Sequence, residues 1–448
     1  MLMGTIRRGR IRVAQVVLLA LVSLCFWPVV SFGETLSPGE VLTLSRVVEL
    51  ALKNQPAIAG QTSQVRASEA RIGQARSNWY PQVSAGAGYG RTKPVTGGGG
   101  LSLSSGSGGL APSTSSYEDY SSNVALNQNV FDFGRTSSQV KIQDLNTQSS
   151  RFNLENTRDD VVYTVKQAFF GLLQAQASRD VAKESLDQFQ VQLDRARAFF
   201  DVGLRPKFDV TKAEVDVGTA QLALIRAENQ VRLSRVNLNN AMGIPDAPQY
   251  TIADDKAPVG DVAKFDDALQ QAFAQRPDLL ATIRQKEASA ESIKRAQRNY
   301  LPNLTGNASY SWYGTGFPLG DGWNLGLNLS VPIFEGFLTK YQVAEAQANL
   351  DTAASTERSL RQDIVLQVQQ AYLAFKEAEE RIVTTELTAR QAKENYELAQ
   401  GRYQAGVGSA IEVSDALVTY RNAEIAYVNA LYDQKIAQAQ IQRVTGLR

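Results

Sequence analysis

The chain contains no histidine and only one cysteine among its 448 residues. Without histidine there is no Ser-His-Asp triad, no imidazole proton shuttle and no usual zinc site. The cysteine, Cys25, lies in an apolar run near the N-terminus, so no disulfide is available to the rest of the chain. Stability must then come from packing and assembly. A charge excess of either sign is also missing, with 46 basic groups against 45 acidic ones. That balance excludes the basic footprint of a nucleic-acid-binding surface. Gly97–Gly100 lacks the strand and the lysine of a phosphate cradle, and Asp254-Asp255 sits in a polar bridge. No catalysis, cofactor or metal site is expected. Proline is absent from 113–205 and from 333–448, which leaves long helices free to run there.

What is present begins with Arg7, Arg8, Arg10 and Arg12 ahead of an apolar run from Val13 to Val30. Ser31-Phe32-Gly33 then puts small residues at the −3 and −1 positions of a cleavage before Glu34, so residues 1–33 read as a secretory signal peptide. Leu24 stands where a lipoprotein needs a small residue before its acylated cysteine. Loss of the four arginines leaves 42 basic groups against 45 acidic ones.

The chain also repeats itself. Residues 131–243 align with 334–446 at a constant offset of 203 and without a gap. Gln167-Ala168-Phe169 recurs as Gln370-Ala371-Tyr372, Gly203 as Gly406, and Gly243 as Gly446. An ungapped register of that length implies long straight helices, because one inserted residue rotates everything beyond it by about 100°. Val161, Val165, Ala168, Leu172 and Ala175 step by 4, 3, 4 and 3, as do Ile364, Val368, Ala371, Phe375 and Ala378. That is a coiled-coil seam in both copies. Each long helix stops at a glycine turn, Gly203 or Gly406, and a return helix of some 36 residues starts near Lys207 or Ala410. The domain reading is therefore a first repeat at 34–243, a bridge at 244–262 and a second repeat at 263–448.

Ahead of each long helix a shorter one stops at Pro81 or Pro302, and the period changes from 3.6 to 2. Val83, Ala85, Ala87 and Tyr89 alternate with small or polar residues, and Leu325, Leu327, Leu329 and Val331 alternate with Asn, Gly and Ser. Four strands of nine or ten residues result, each with one apolar face, as transmembrane β-strands have. Tyr80, Tyr300, Phe131, Phe133, Phe334 and Phe337 sit at one end of the strands, and Tyr310, Trp312, Tyr313 and Trp323 near the other. Two such girdles suit a barrel's membrane interfaces. The fold class is thus an α+β membrane protein, a duplicated unit of long coiled-coil helices plus four β-strands. Four strands cannot close a barrel, so copies must combine: two give eight strands and three give twelve. The competing reading is a periplasmic coiled-coil scaffold or adaptor without a barrel, and the aromatic-ended strands argue against it.

Leu42-Thr43-Leu44 through Ala51-Leu52-Lys53-Asn54-Gln55-Pro56, the strand starts at Tyr80-Pro81 and Tyr300-Leu301-Pro302, and Tyr403-Gln404-Ala405-Gly406 with Glu412-Val413-Ser414-Asp415-Ala416 carry a resemblance. In this order, and duplicated, they resemble the outer-membrane efflux proteins of the TolC type. The resemblance implies a homotrimer in the outer membrane, with a 12-stranded barrel continuous with an α-helical periplasmic tunnel. The function it implies is a passive exit duct for efflux or type I secretion. The implied partners are a periplasmic adaptor, an inner-membrane transporter and outer-membrane lipid. By position, Glu412 and Asp415 match the family's acidic pore ring, and Asp209 and Tyr403 match contacts that close the aperture against a basic residue. That basic position is Gly408 here, and Arg205 holds the equivalent place in the first repeat. Gly203, Leu204, Gly406 and Val407 fall at the helix-turn tips that face the adaptor. Ser409-Ala410-Ile411-Glu412 also fits a helix capping box, a second role for Glu412.

Overall fold

The computed structural model describes residues 36–93, 116–254 and 264–447. The signal segment, nearly all of the Gly/Ser-rich loop and residues 255–262 of the bridge lie outside them. Among the described residues no helix is long and apolar enough to cross a membrane.

The first repeat opens with β1 (Val41–Leu42) and α1 (Leu44–Asn54). Thr43 Oγ1 accepts the Arg46 N–H at 3.4 Å and caps α1, which buries Val47, Leu50 and Ala51 at helical spacing. Pro56 ends α1 and starts α2 (Pro56–Arg76), because its ring disfavours helix before it and pre-sets helix after it. Then come β2 (Gln82–Thr92), β3 (Tyr117–Phe131), α3 (Arg135–Asp201) and α4 (Lys207–Met242). β4 (Thr251–Ile252) in the bridge pairs in parallel with β1. The second repeat has α5 (Phe265–Gln275), α6 (Pro277–Gln297), β5 (Asn303–Gly314), β6 (Gly320–Ser330), α7 (Leu338–Gln404) and α8 (Ala410–Thr445). The helix lengths of 11, 21, 67 and 36 residues recur unchanged.

The strands form one antiparallel sheet in the order β2-β3-β5-β6. They are longer than the alternation suggests, at 11, 15, 12 and 11 residues. The pairing Val83↔Leu126, Leu126↔Ala308 and Ala308↔Leu325 collects the apolar sets of all four strands on one face. Gln82↔Asn127, Asn127↔Asn307 and Asn307↔Gly326 collect the polar set on the other. Leu325, Leu327 and Trp323 are each more than 70% exposed, so none of the described residues covers the apolar face there. From the sheet the chain enters each long helix through two consecutive residues of positive φ, Phe133-Gly134 and Gly336-Phe337. The glycine and the phenylalanine exchange places between repeats, yet both positions keep the left-handed conformation, which bulky residues adopt only under constraint.

The helices form a layer in the same order as the strands. α2 and α4 lie in line on one flank of α3, α6 and α8 lie in line on its other flank, and α7 packs against α6 and α8. The end-to-end junctions are tight. A Cβ at Gly243 would stand 2.8 Å from the Asn54 carbonyl oxygen, and Gln55 Nε2 donates to the Ala241 carbonyl at 3.1 Å. α1 packs on Val161, Val165, Phe169 and Leu172 of α3, and α5 packs on Ile364, Val368, Ala371 and Phe375 of α7. Phe169, rather than the intermediate Ala168, fills the expected seam. Each fully buried large side chain there stabilises by about 1.5–3 kcal/mol.

Candidate functional site at the helical tips

The two helical hairpins end side by side. Each turn is closed by a glycine of positive φ, Gly203 at +75° and Gly406 at +79°. Leu204 N donates to the Phe199 carbonyl at 2.9 Å and Val407 N to the Arg402 carbonyl at 3.0 Å, so both ends follow the Schellman pattern. Leu204 and Val407 project from these turns, each 69% exposed.

Just behind the turns the hairpins meet through Tyr403. It is only 3% exposed, its ring lies edge-on to Phe199 at 5.9 Å, and the Arg205 guanidinium stacks over it at 4.9 Å. Arg205 Nη2 also donates to the Gly408 carbonyl at 3.1 Å, which ties one turn to the other. Gly408 is held by sterics: a Cβ there would stand 3.0 Å from Tyr403 N and 3.1 Å from the Arg402 carbonyl carbon. A side chain at 408 would need the turn backbone to give by a few tenths of an ångström, and Arg205 reaches this place from the other repeat.

Asp209 is buried, 8% exposed, and lines a void of about 20 Å³ together with Lys212, Asp216, Tyr403 and Ser414. The Tyr403 hydroxyl finds no hydrogen-bond partner among the described residues. Asp209 and Tyr403 are therefore neighbours across a space that holds about one water, not a bonded pair. Burial, reinforced by the Asp209 charge and opposed by Arg205, pushes the Tyr403 hydroxyl above its ordinary pKa. A further polar link between the repeats runs through residues that the sequence reading did not single out. Lys212 Nζ donates to Asp216 and, at 3.0 Å, to Ser414 Oγ, and Ser414 Oγ donates to Asp216 Oδ2 at 2.7 Å. Lys212 and Asp216 are an i,i+4 pair on α4, but no sequence signal marks their link to Ser414, about 200 positions away.

Glu412 and Asp415 are exposed on one face of α8's first turns, three residues apart. Ser409 Oγ accepts the Glu412 N–H at 3.2 Å, so the cap is real, while the Glu412 carboxylate stands 3.8 Å from Arg402 Nε. Both partners of that pair are more than half exposed, which limits it to a fraction of a kcal/mol. The carboxylates are thus available to an environment outside the protomer.

Comparison with known proteins follows the same division. The family model described as outer membrane efflux protein matches residues 47–244 and again 268–447. The chain is 24% identical to the outer membrane efflux protein BepC of Brucella suis over 410 residues, covering 90% of this chain and 85% of that one. It is 26% identical to the outer membrane protein TolC of Escherichia coli over 424 residues, covering 90% and 82%. Among solved structures, a membrane protein from Pseudomonas aeruginosa superposes with a TM-score of 0.77 at 21% identity, covering 90% of both chains. The CmeC outer membrane channel of Campylobacter jejuni gives 0.75 at 19% identity, covering 90% and 85%.

Proposed function

Because this chain belongs to the outer membrane efflux protein family and so serves as an exit duct for efflux or type I secretion in the outer membrane, we propose that three copies close into one continuous channel. In this reading cleavage after residue 33 releases a mature chain of two repeats, 34–243 and 263–448, joined by 244–262. Three sheets give a barrel of twelve strands in the membrane, and three helical layers give the periplasmic tunnel below it. One observation supports closure above all others. The sheet order β2-β3-β5-β6 and the layer order α2/α4, α3, α6/α8, α7 coincide, so one rotation joins both open edges to the next copy at once. An unpaired strand edge in lipid costs several kcal/mol per orphaned backbone group, so the edges require that partner. α4 adds Phe208, Val215 and Leu222, exposed and seven residues apart, as a seam awaiting a helix. A barrel-free scaffold or adaptor would leave the apolar face of the sheet without an environment.

At the narrow end, Glu412 and Asp415 of three copies form acidic rings, and Asp209, Tyr403 and Arg205 hold the aperture closed. Gly203, Leu204, Gly406 and Val407 form the tips that meet a periplasmic adaptor, which links the duct to an inner-membrane transporter. Rings of carboxylates in a narrow pore favour cations and bind multivalent ones. Single-channel recording in planar bilayers tests this. The expected result is a cation-selective current blocked by multivalent cations, with both properties reduced in Glu412→Ala combined with Asp415→Ala. Unchanged selectivity in the double variant would remove the ring assignment.

A further inference from the structure

The two repeats differ where the in-line helices meet. In the first repeat a groove of about 500 Å³ runs between α3 and α4, with Gln55, Gln167, Gln174, Gln230, Asn237 and Asn240 among its lining. Its remaining residues are Thr164, Ser234, Ala168, Gly171 and Ala241, so the lining carries no charge and no large apolar group. The carboxamides of Gln167, Asn237 and Asn240 have no hydrogen-bond partner among the described residues. Gly171, the lone glycine within α3, faces this space. A Cβ there meets nothing within 4 Å, so packing does not demand glycine although it weakens the helix relative to alanine.

The second repeat uses the equivalent positions differently. Arg276 stands for Gln55, Ala374 for Gly171, Asp433 for Gln230 and Arg443 for Asn240. Arg276 is buried, pairs with Asp278 at 2.6 Å and donates to Gln367 at 2.9 Å. Asp433 pairs with Arg381, and Arg443 with Asp160, each at 2.7 Å. One copy of the duplicated site is thus filled by ion pairs, and the other is open and neutral.

The groove's side of the wall follows from α1. Gln167 and Gln174 lie two residues beyond Val165 and Leu172, which α1 covers, and hence about 200° round the helix. α1 and α5 are additions to the layer, and a closed ring of helices has room for them only outside. The groove therefore opens toward the lumen.

We propose that this groove is a binding site on the duct's inner wall for an uncharged, polyhydroxylated solute, of the class of a short oligosaccharide. The inference rests on the closed-duct reading. Gln55, Gln174 and Gln230 already donate to Ala241, Asp433 and Ser234, but the carboxamides of Gln167, Asn237 and Asn240 each offer a donor beside an acceptor, which matches the hydroxyl pairs of a sugar. A charged solute would lose hydration there without gaining a counter-charge. The volume falls within the range of about 300–1,000 Å³ typical of small-molecule sites.

The test is current block in planar bilayers by chitotriose, the uncharged N-acetylglucosamine trimer, against its cationic deacetylated form. Chitotriose should interrupt the current of the wild-type duct. Gln167→Ala combined with Asn237→Ala should weaken the block about tenfold through loss of two hydrogen bonds. The matched change in the second repeat, Gln370→Ala with Gln440→Ala, should leave it intact. Equal block by the cationic trimer in a duct carrying Glu412→Ala and Asp415→Ala, where the acidic rings cannot bind it, block by an uncharged tripeptide alone, or equal block in the first double variant would overturn the assignment. A protein that inserts but passes no current even with Arg205→Ala, which frees the tips, would contradict the closed duct instead. Saturation-transfer NMR of chitotriose on the detergent-solubilised variants would then decide the groove by itself.

Discussion

Position 408 in the second repeat and position 205 in the first are equivalent, and the structure gives them opposite roles. A Cβ at Gly408 would crowd the turn backbone, and Arg205 crosses from the other hairpin to bond the Gly408 carbonyl and cover Tyr403. The guanidinium supplies both the hydrogen bond and the cation–π contact, together worth about 1–2 kcal/mol. The Tyr403 hydroxyl supplies nothing, since no partner meets it. Arg205→Ala is therefore expected to raise resting conductance about tenfold, while Tyr403→Phe leaves it unchanged; recordings of both variants beside wild type check the contrast. Equal leak in the two would mean that the ring, not the arginine, holds the tips. The exchange of arginine for glycine was visible in the sequence because the repeat aligns the two positions. The Lys212–Asp216–Ser414 bridge was not, since it depends on how α4 and α8 face one another.

At the scale of elements, the long helices were the most legible feature. Their proline-free spans and ungapped register implied long straight helices, and both contain 67 residues. Strand ends were less legible. The first residues of β3, Tyr117-Glu118-Asp119, are mostly polar and break the alternation, yet they pair across to Thr92, Arg91 and Gly90. β1 and β4 are two residues each, too short to carry a period, so the bridge hid its docking on the start of the first repeat. Ion pairs between neighbouring helices were also hidden. Glu357 of α7 is 8% exposed, bonded to Lys286 of α6 and to Arg361 Nη2 at 2.8 Å. The Lys286 bond first, and Arg361 second, hold its carboxyl below the ordinary value of 4.5 against the opposing effect of burial. A lowered folded-state pKa means stability that is present above about 4.5 and lost as pH falls through the folded value. Glu357→Gln should thus lower stability at pH 7 by about 1–2 kcal/mol. Melting curves of the two proteins should converge toward pH 3, and a gap that stays constant down to that pH would contradict the clasp.

At the scale of the whole molecule, one protomer is an unfinished object. Its sheet has an apolar face and two open edges, and its helical layer ends at the same two edges. The apolar sides were legible strand by strand, but only the register shows that they share one face. The coincidence of sheet order and layer order lay beyond the sequence, because it requires knowing which helices lie in line. Closure by rotation is the central claim, and class-averaged electron microscopy of the mature protein in detergent tests it most directly. The account predicts a three-fold, tapered cylinder roughly 130 Å long, the sum of about 100 Å of helix and about 30 Å of tilted strand. The detergent belt should surround only the strand end. Isolated rods, or a helical particle without a belt, would contradict it.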